Sequence, residues 1–202
     1  MRTLVIDTAT RACSVALFDD KDCVSAQHEV IGRGHAERLL PLIAALPGNG
    51  KADQIMVNVG PGSFTGIRVG VAAAKALGLA WHVKVQGYGC LALVAAMARA
   101  QMAEVGAVDV VMTGGHGEYF FEAFDVDGQS LRPAQSILPA TVPVMAKAAY
   151  VAGDIDLKRD DGTWFDLLPD ARQWAHLSTG TALPPTPIYG RAPDAKPAAA
   201  LI

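Results

Sequence analysis

The stretch "GPGSFTGIRVG", residues 60 to 70, places four glycines between an apolar run, "QIMVNVG", and a long apolar segment. It has the outline of a phosphate loop without the residues that such a loop needs. A nucleoside-triphosphate loop requires G-x-x-x-x-G-K-[ST], and no two of these glycines have that spacing. A dinucleotide fingerprint requires G-x-G-x-x-G and a carboxylate about 20 residues further on. Here Thr65 stands at the third glycine, and residues 54–103 contain no Asp or Glu. Both nucleotide readings fail on the chemistry. The glycines turn the chain, and Ser63 is placed to cap a helix over 64–80, its hydroxyl accepting from the amide of Thr65 or Gly66.

Within that helix Gly66, Gly70, Ala74 and Gly78 recur every fourth residue and form one column without side-chain bulk. Such a column admits another backbone at close range, at a cost of up to about 1 kcal/mol per glycine in helix propensity. The rest of the helix is apolar nearly all round, with Phe64, Ile67, Val71, Leu77 and Leu79, while Arg68 and Lys75 are its charged residues. A helix this apolar needs cover on more than one side. The segment before it predicts a second helix, from about His35 to Leu46, with the stripe Leu39, Leu42, Ile43 and Leu46 and a kink or late start at Pro41. Two arrangements satisfy these stripes: the helix pair packs only on its own sheet, or a partner chain docks on it. The small-residue column favours the partner.

Outward from this centre, the chain opens with three strands joined by tight turns, "TLVID", "CSVALFD" and "VSAQHEV". "QIMVNVG" and "HVKVQGYG" are further strands, and residues 89–103 form an alanine-rich helix. A second unit begins near Val105, where "VDVVMTGGHGEYFFEAFDVDG" repeats the outline of "RTLVIDTATRACSVALFDDKD", which suggests a duplication. The second half is thinner: "SILPATVPVMAKAAY" has weak periodicity, "YVAGD" is a short strand, and "DARQWAHL" gives one or two helical turns. The proline-rich tail after Gly180 reads as extended and partly mobile.

At 202 residues with half of them apolar, the chain can bury a core. No apolar run reaches the roughly 18 to 20 residues of a membrane span. "MRTLVIDTAT" has no secretory pattern, since Asp7 interrupts the apolar stretch, and Cys13, Cys23 and Cys90 form no C-x-x-C pair. A reducing, cytoplasmic setting without a membrane is the expectation. A formal net charge of −3, with no cluster of basic residues and aromatics, argues against independent grip on a nucleic acid.

"IDTATRACSVAL", "GHAERLLPLI", "GPGSFTGIRVG" and "PIYGRAPDAK", in this order and spacing, resemble the bacterial TsaB family of tRNA threonylcarbamoyladenosine biosynthesis proteins, most strongly over residues 1–100. The resemblance implies an α/β, two-lobed actin/sugar-kinase-like (ribonuclease H-like) fold. Each lobe is a mixed sheet with flanking helices, the second reduced, over residues 1–104 and 105–202. It implies a non-catalytic subunit supporting TsaD, which transfers threonylcarbamoyl to the adenosine beside the anticodon, with the ATPase TsaE completing the assembly and tRNA reached only through the complex. The implied partner-binding residues are Leu39, Leu42, Ile43, Leu46, Phe64, Arg68, Val71 and Lys75, for TsaD or for a second copy in a homodimer. No cofactor of its own is expected, and ATP or ADP belongs at the interface with the partner. The family pattern Asp-Ala-Arg before the second hairpin's Glu is replaced by Thr113-Gly114-Gly115-His116-Gly117-Glu118, and Tyr-Leu-Arg in the tail by Tyr189-Gly190-Arg191.

In that superfamily Asp7, Thr8 and Thr10 occupy the phosphate-loop position of the first hairpin. A kinase there wants a carboxylate from each lobe, to hold Mg²⁺ or serve as base. The second hairpin offers Met112 or Thr113 instead, so a small-molecule kinase or ATPase is the weaker reading. His28 and His35, seven apart with Gly32 and Gly34 between them, do not make a metal pair, and no metal site is expected. His116 and Glu118 are a weak acid–base pair, and Ser63 lacks the G-x-S-x-G elbow, so no catalytic residue is assigned.

Overall fold

In the computed structural model, which describes residues 1–102, 104, 106–158, 160, 162–177 and 182–190, one strand plan is used twice. The first sheet contains β1 (Arg2–Asp7), β2 (Ala12–Asp19), β3 (Asp22–Val30), β4 (Gln54–Asn58) and β5 (Lys84–Tyr88), in the order β3-β2-β1-β4-β5. β1 to β3 form an antiparallel meander, and β4 and β5 add in parallel on the far side of β1. The second sheet contains β6 (Val108–Thr113), β7 (Tyr119–Phe124), β8 (Gln135–Ile137), β9 (Tyr150–Gly153) and β10 (Thr163–Asp166). Its order, β10-β9-β6-β7-β8, is the same plan with the same strand directions. The duplication read from the two hairpins therefore extends to whole sheets, giving the expected two lobes, each a mixed sheet with flanking helices.

Parallel neighbours need a crossover, and the two lobes supply it differently. In the first lobe α1 (His35–Ala44) precedes β4, and α2 (Phe64–Trp81) joins β4 to β5. α3 (Cys90–Ala100) leads into the second lobe, where α4 (Val142–Met145) is a single turn and residues 154–162 connect β9 to β10 without a described helix.

Strand alternation sorts the core into layers. Leu4, Ile6, Val15, Leu17, Ile55 and Val57 pack with Leu39, Leu42 and Ile43 of α1 and Ile67, Val71 and Ala74 of α2. Val5, Ala16, Phe18 and Met56, on the opposite face, meet Leu93 and Met97 of α3 and the 3₁₀ turn Ala171–His176. α3 also packs Leu91, Val94 and Ala98 with Val108, Val110 and Phe120 of the second sheet, so it is shared by both lobes. The outer face of the second sheet, Val111, Phe121 and Val151, is covered by Val142 and Ala146 around α4 and by Ile155 and Leu157.

Two expectations change here. α1 begins at His35 and runs through Pro41, so there is no late start. Pro41 and Glu37, one turn earlier, are both exposed, which puts the carbonyl deprived of its donor on the solvent side. The small-residue column of α2 does not await a partner. Gly66, Gly70, Ala74 and Gly78 are buried against the chain's own sheet, where a Cβ would overlap Thr8 at Gly66 and Gly70, and Val85 at Gly78.

The segment after Asp166 also leaves the second lobe. Ala171 donates to the Ser14 hydroxyl at 3.0 Å, Leu183 and Gly87 exchange backbone hydrogen bonds of 2.8 and 2.7 Å, and Ile188 donates to Val59 at 2.7 Å. The tail is extended, as expected, but from Leu183 to Gly190 it is strapped across the first lobe. Arg191 and the residues after it lie outside the described residues. Among the described residues no helix is long and apolar enough to cross a membrane.

Gly66→Ala is expected to lower stability by about 1–3 kcal/mol, because its Cβ meets the Thr8 carbonyl oxygen, a backbone atom that cannot rotate away. Gly115→Ala, with nothing near its Cβ, should stay within about 0.5 kcal/mol of the parent in urea denaturation.

Candidate functional site

Asp7 closes β1 at the point where the carboxyl ends of β1, β4 and β5 meet, the usual ligand crevice of such sheets. Here the crevice is filled by protein. Asp7 has no exposed surface, and its Oδ2 accepts from Asn58 Nδ2 at 2.6 Å and from the Tyr88 hydroxyl at 2.9 Å. Its Oδ1 accepts from the Ala9 amide at 3.2 Å. Asn58 carries the network onward, its Oδ1 accepting from the Gly60 amide at 2.8 Å. Gly60, at φ 99°, turns the chain over the hairpin in a conformation only glycine adopts freely, and the Gly60–Pro61 bond is cis.

The glycine loop then lies directly on the β1–β2 turn. The Ser63 amide donates to the Ala9 carbonyl at 2.6 Å, and the buried Thr8 hydroxyl donates to the Gly66 carbonyl at 2.7 Å. A Cβ at Gly62 would overlap the Ala9 carbonyl oxygen. Ser63 caps α2 as the sequence indicates, its Oγ accepting from the Gly66 amide at 3.2 Å. Of the three candidate nucleotide residues, Asp7 and Thr8 are sealed and bonded within the protein. Thr10 is half-buried, its hydroxyl taking the Ala12 amide at 3.2 Å.

The second hairpin has no matching acid. Thr113 ends β6 as Asp7 ends β1, and its amide donates to Asp154 Oδ1 at 2.7 Å. The β6–β7 turn closes on itself through Gly114 and Glu118 at 2.9 Å, while the Glu118 carboxylate is engaged by the Ser136 hydroxyl. His35 is buried with its Nε2 3.2 Å from the Ala12 carbonyl oxygen, and His28 sits on β3 opposite Ser14. Among the described residues no group of three or more His, Cys, Asp or Glu is placed to hold a metal ion. Cys13 and Cys90 are buried and their thiols are pushed up in pKa by burial, Cys13 to about 11.

The proposed partner residues divide into two groups. Leu39, Leu42, Ile43, Leu46 and Val71 are all under 5% exposed and belong to the core. The α1 stripe covers the chain's own sheet, so these five are corrected from surface to interior. Phe64, Arg68 and Lys75 are exposed. The residues that the helix pair shows to solvent are those beside the stripes. On α1 they include Ala36, Leu40, Pro41 and Ala44 beside the charged Glu37 and Arg38, and on α2 Thr65, Ala72, Ala76, Leu79 and Ala80, with Leu40 54% and Leu79 78% exposed. The missed signal was the pair of leucines at positions the main stripe does not need. The Arg38–Glu29 ion pair, with two hydrogen bonds of 2.6 Å, ties α1 to β3 at the margin of this face.

Burial pushes the Asp7 carboxyl up from an ordinary 3.8 to about 6, against the opposite pull of the hydrogen bonds from Asn58, Ala9 and Tyr88. The folded state therefore holds this proton more tightly than the unfolded chain. Its stabilisation is complete below about pH 4 and lost as pH rises through about 6, a change of about 3 kcal/mol. Measured against Asp7→Asn in urea, the stability of the parent should fall by about 2–3 kcal/mol from pH 4 to pH 6.5. A difference between the two proteins that stays constant over this range contradicts the sealed carboxylate.

The model of the family described as "TsaD: tRNA N6-adenosine threonylcarbamoyltransferase" matches residues 25–155, more than half of the 202-residue chain. The tRNA threonylcarbamoyladenosine biosynthesis protein TsaB of Escherichia coli is 40% identical over 96 residues, 45% of this chain and 41% of that protein. The protein of the same name in Haemophilus influenzae is 40% identical over 81 residues, 37% of this chain and 33% of that one. The chain thus matches less than half the length of these two curated relatives. Of the solved structures, YeaZ from Pseudomonas aeruginosa superposes with a TM-score of 0.78 at 26% identity, covering 93% of this chain and 99% of that one. The chain belongs to the family that the TsaD model describes.

Proposed function

We propose that this chain is a non-catalytic subunit of the machinery that places threonylcarbamoyl on the adenosine beside the tRNA anticodon, and that it docks a TsaD-type transferase on the outer face of α1 and α2. The observation that carries this reading is the contrast within the first lobe. The acid at the sheet crevice is bonded on both oxygens beneath the glycine loop, while the helix pair beside it shows two leucines on an alanine floor. A floor of alanines lets a partner helix approach closely, and the leucines supply anchors in place of reacting groups.

Other parts of the reading follow from the same surface. The acidic balance leaves tRNA contact to the partner. With Asp7 and Thr8 sealed, ATP or ADP belongs at the junction with the partner, and a TsaE-type ATPase acts on the assembled complex. A second copy of the chain is the competing occupant of the face, and the setting is cytoplasmic.

Leu40→Glu and Ala76→Arg should each weaken the complex with a TsaD-type subunit by at least about 30-fold, the range of an interface anchor, while thermal unfolding of the isolated chain is nearly unchanged. Leu42→Glu, which puts a charge in the core, should unfold the chain and is the wrong probe of the interface. Undiminished co-purification of Leu40→Glu and Ala76→Arg would place the interface elsewhere.

A further inference from the structure

Arg68 is held in a manner that surface arginines seldom are. Its guanidinium carbon lies 3.6 Å from the centre of the Phe64 ring, one turn earlier on α2, and 5.4 Å from that of Tyr189. The two rings are 5.3 Å apart, and Arg68 Nε donates to the Tyr189 hydroxyl at 2.8 Å. Tyr189 arrives from the strap, 121 residues later in sequence. It is fixed on either side by backbone bonds, Ile188 to Val59 of the first lobe at 2.7 Å and Ser136 of the second lobe to Gly190 at 3.0 Å. Among the described residues Arg68 makes no ion pair, and its two terminal amino nitrogens make no hydrogen bond.

We propose that Tyr189 is a positioning residue of the docking face, orienting Arg68 so that its outer edge receives a carboxylate of the TsaD-type partner; this rests on the docking reading above. With Nε bound to the tyrosine, the two terminal nitrogens present parallel N–H bonds along one edge, the spacing that a carboxylate matches. The stack has already removed most of the rotamer freedom that an arginine loses on pairing. Phe64, Ile188 and Tyr189, exposed by 55%, 40% and 43%, surround the guanidinium with apolar surface that a docking subunit would cover, leaving the pair dry. The Gly66 amide at the helix start is already taken by Ser63. A phosphate would need further donors of that kind, so the matching group is a side-chain carboxylate on the partner.

A double-mutant cycle with the purified TsaD-type subunit, read by calorimetry at low and high salt, tests the inference. Arg68→Ala should weaken binding about 10- to 30-fold and flatten its salt dependence. Tyr189→Phe, which keeps the ring and removes the hydroxyl, should weaken it about 3- to 10-fold. In the Arg68→Ala background Tyr189→Phe should have no effect beyond about twofold, since the tyrosine acts only through the arginine. If the parent binds and Tyr189→Phe is either silent or costs the same factor in both backgrounds, the positioning role is wrong while the docking reading stands. If the parent does not bind, the docking reading fails and takes this inference with it.

Discussion

The backbone of Gly62 to Gly66 lies in contact with the backbone of Thr8 and Ala9, and the rest of the first lobe is arranged around that contact. It is made by the Ser63 amide on the Ala9 carbonyl at 2.6 Å and the Thr8 hydroxyl on the Gly66 carbonyl at 2.7 Å. Side chains at 62 and 66 would destroy it. The contact fixes where α2 begins, and therefore which residues α2 buries. It also roofs Asp7, whose two oxygens are consumed by Asn58, Tyr88 and Ala9. The crevice at the carboxyl ends of the strands becomes a piece of core. The outer side of the same helix, relieved of chemistry, is left as surface.

The two lobes share a strand plan and differ in what covers it. Eighteen residues of helix join β4 to β5, whereas the β9–β10 connection has no described helix. α3 serves both sheets, and the chain after Asp166 recrosses to the first lobe, bonding Ser14, Gly87 and Val59. The lobes are thus joined by a helix between them and a strap around them. Through Tyr189 and Arg68 the strap reaches the exposed side of α2, which makes Tyr189 part of the surface assigned to docking.

Strands with strong alternation or continuous apolar runs, the Ser63 cap and the duplicated hairpin were legible in the sequence because each rests on local chemistry. β8, three residues long, and β10, "TWFD" after a polar loop, carry too little pattern to stand out and exist because β7 and β9 offer them an edge. The orientation of the helices was misread for a physical reason. Periodicity says that Leu39, Leu42, Ile43 and Val71 share covered faces but not what covers them, and the covering is the chain's own sheet. The glycine column was open to the same ambiguity, since a backbone it admits can belong to a strand or to a foreign helix. The strap was invisible because its partners lie some 100 residues away in sequence, as Leu183 does from Gly87.

The most direct test of a sealed carboxylate beside a docking surface is the amount of threonylcarbamoyladenosine in bulk tRNA, measured by nucleoside mass spectrometry in a deletion strain carrying variant copies. Asp7→Asn, which leaves the outer face intact, should restore the modified nucleoside to near the parental level, and Ala76→Arg should leave it depleted. Full restoration by Ala76→Arg together with loss in a folded Asp7→Asn would contradict the account, placing the work at the carboxylate and not on the helices.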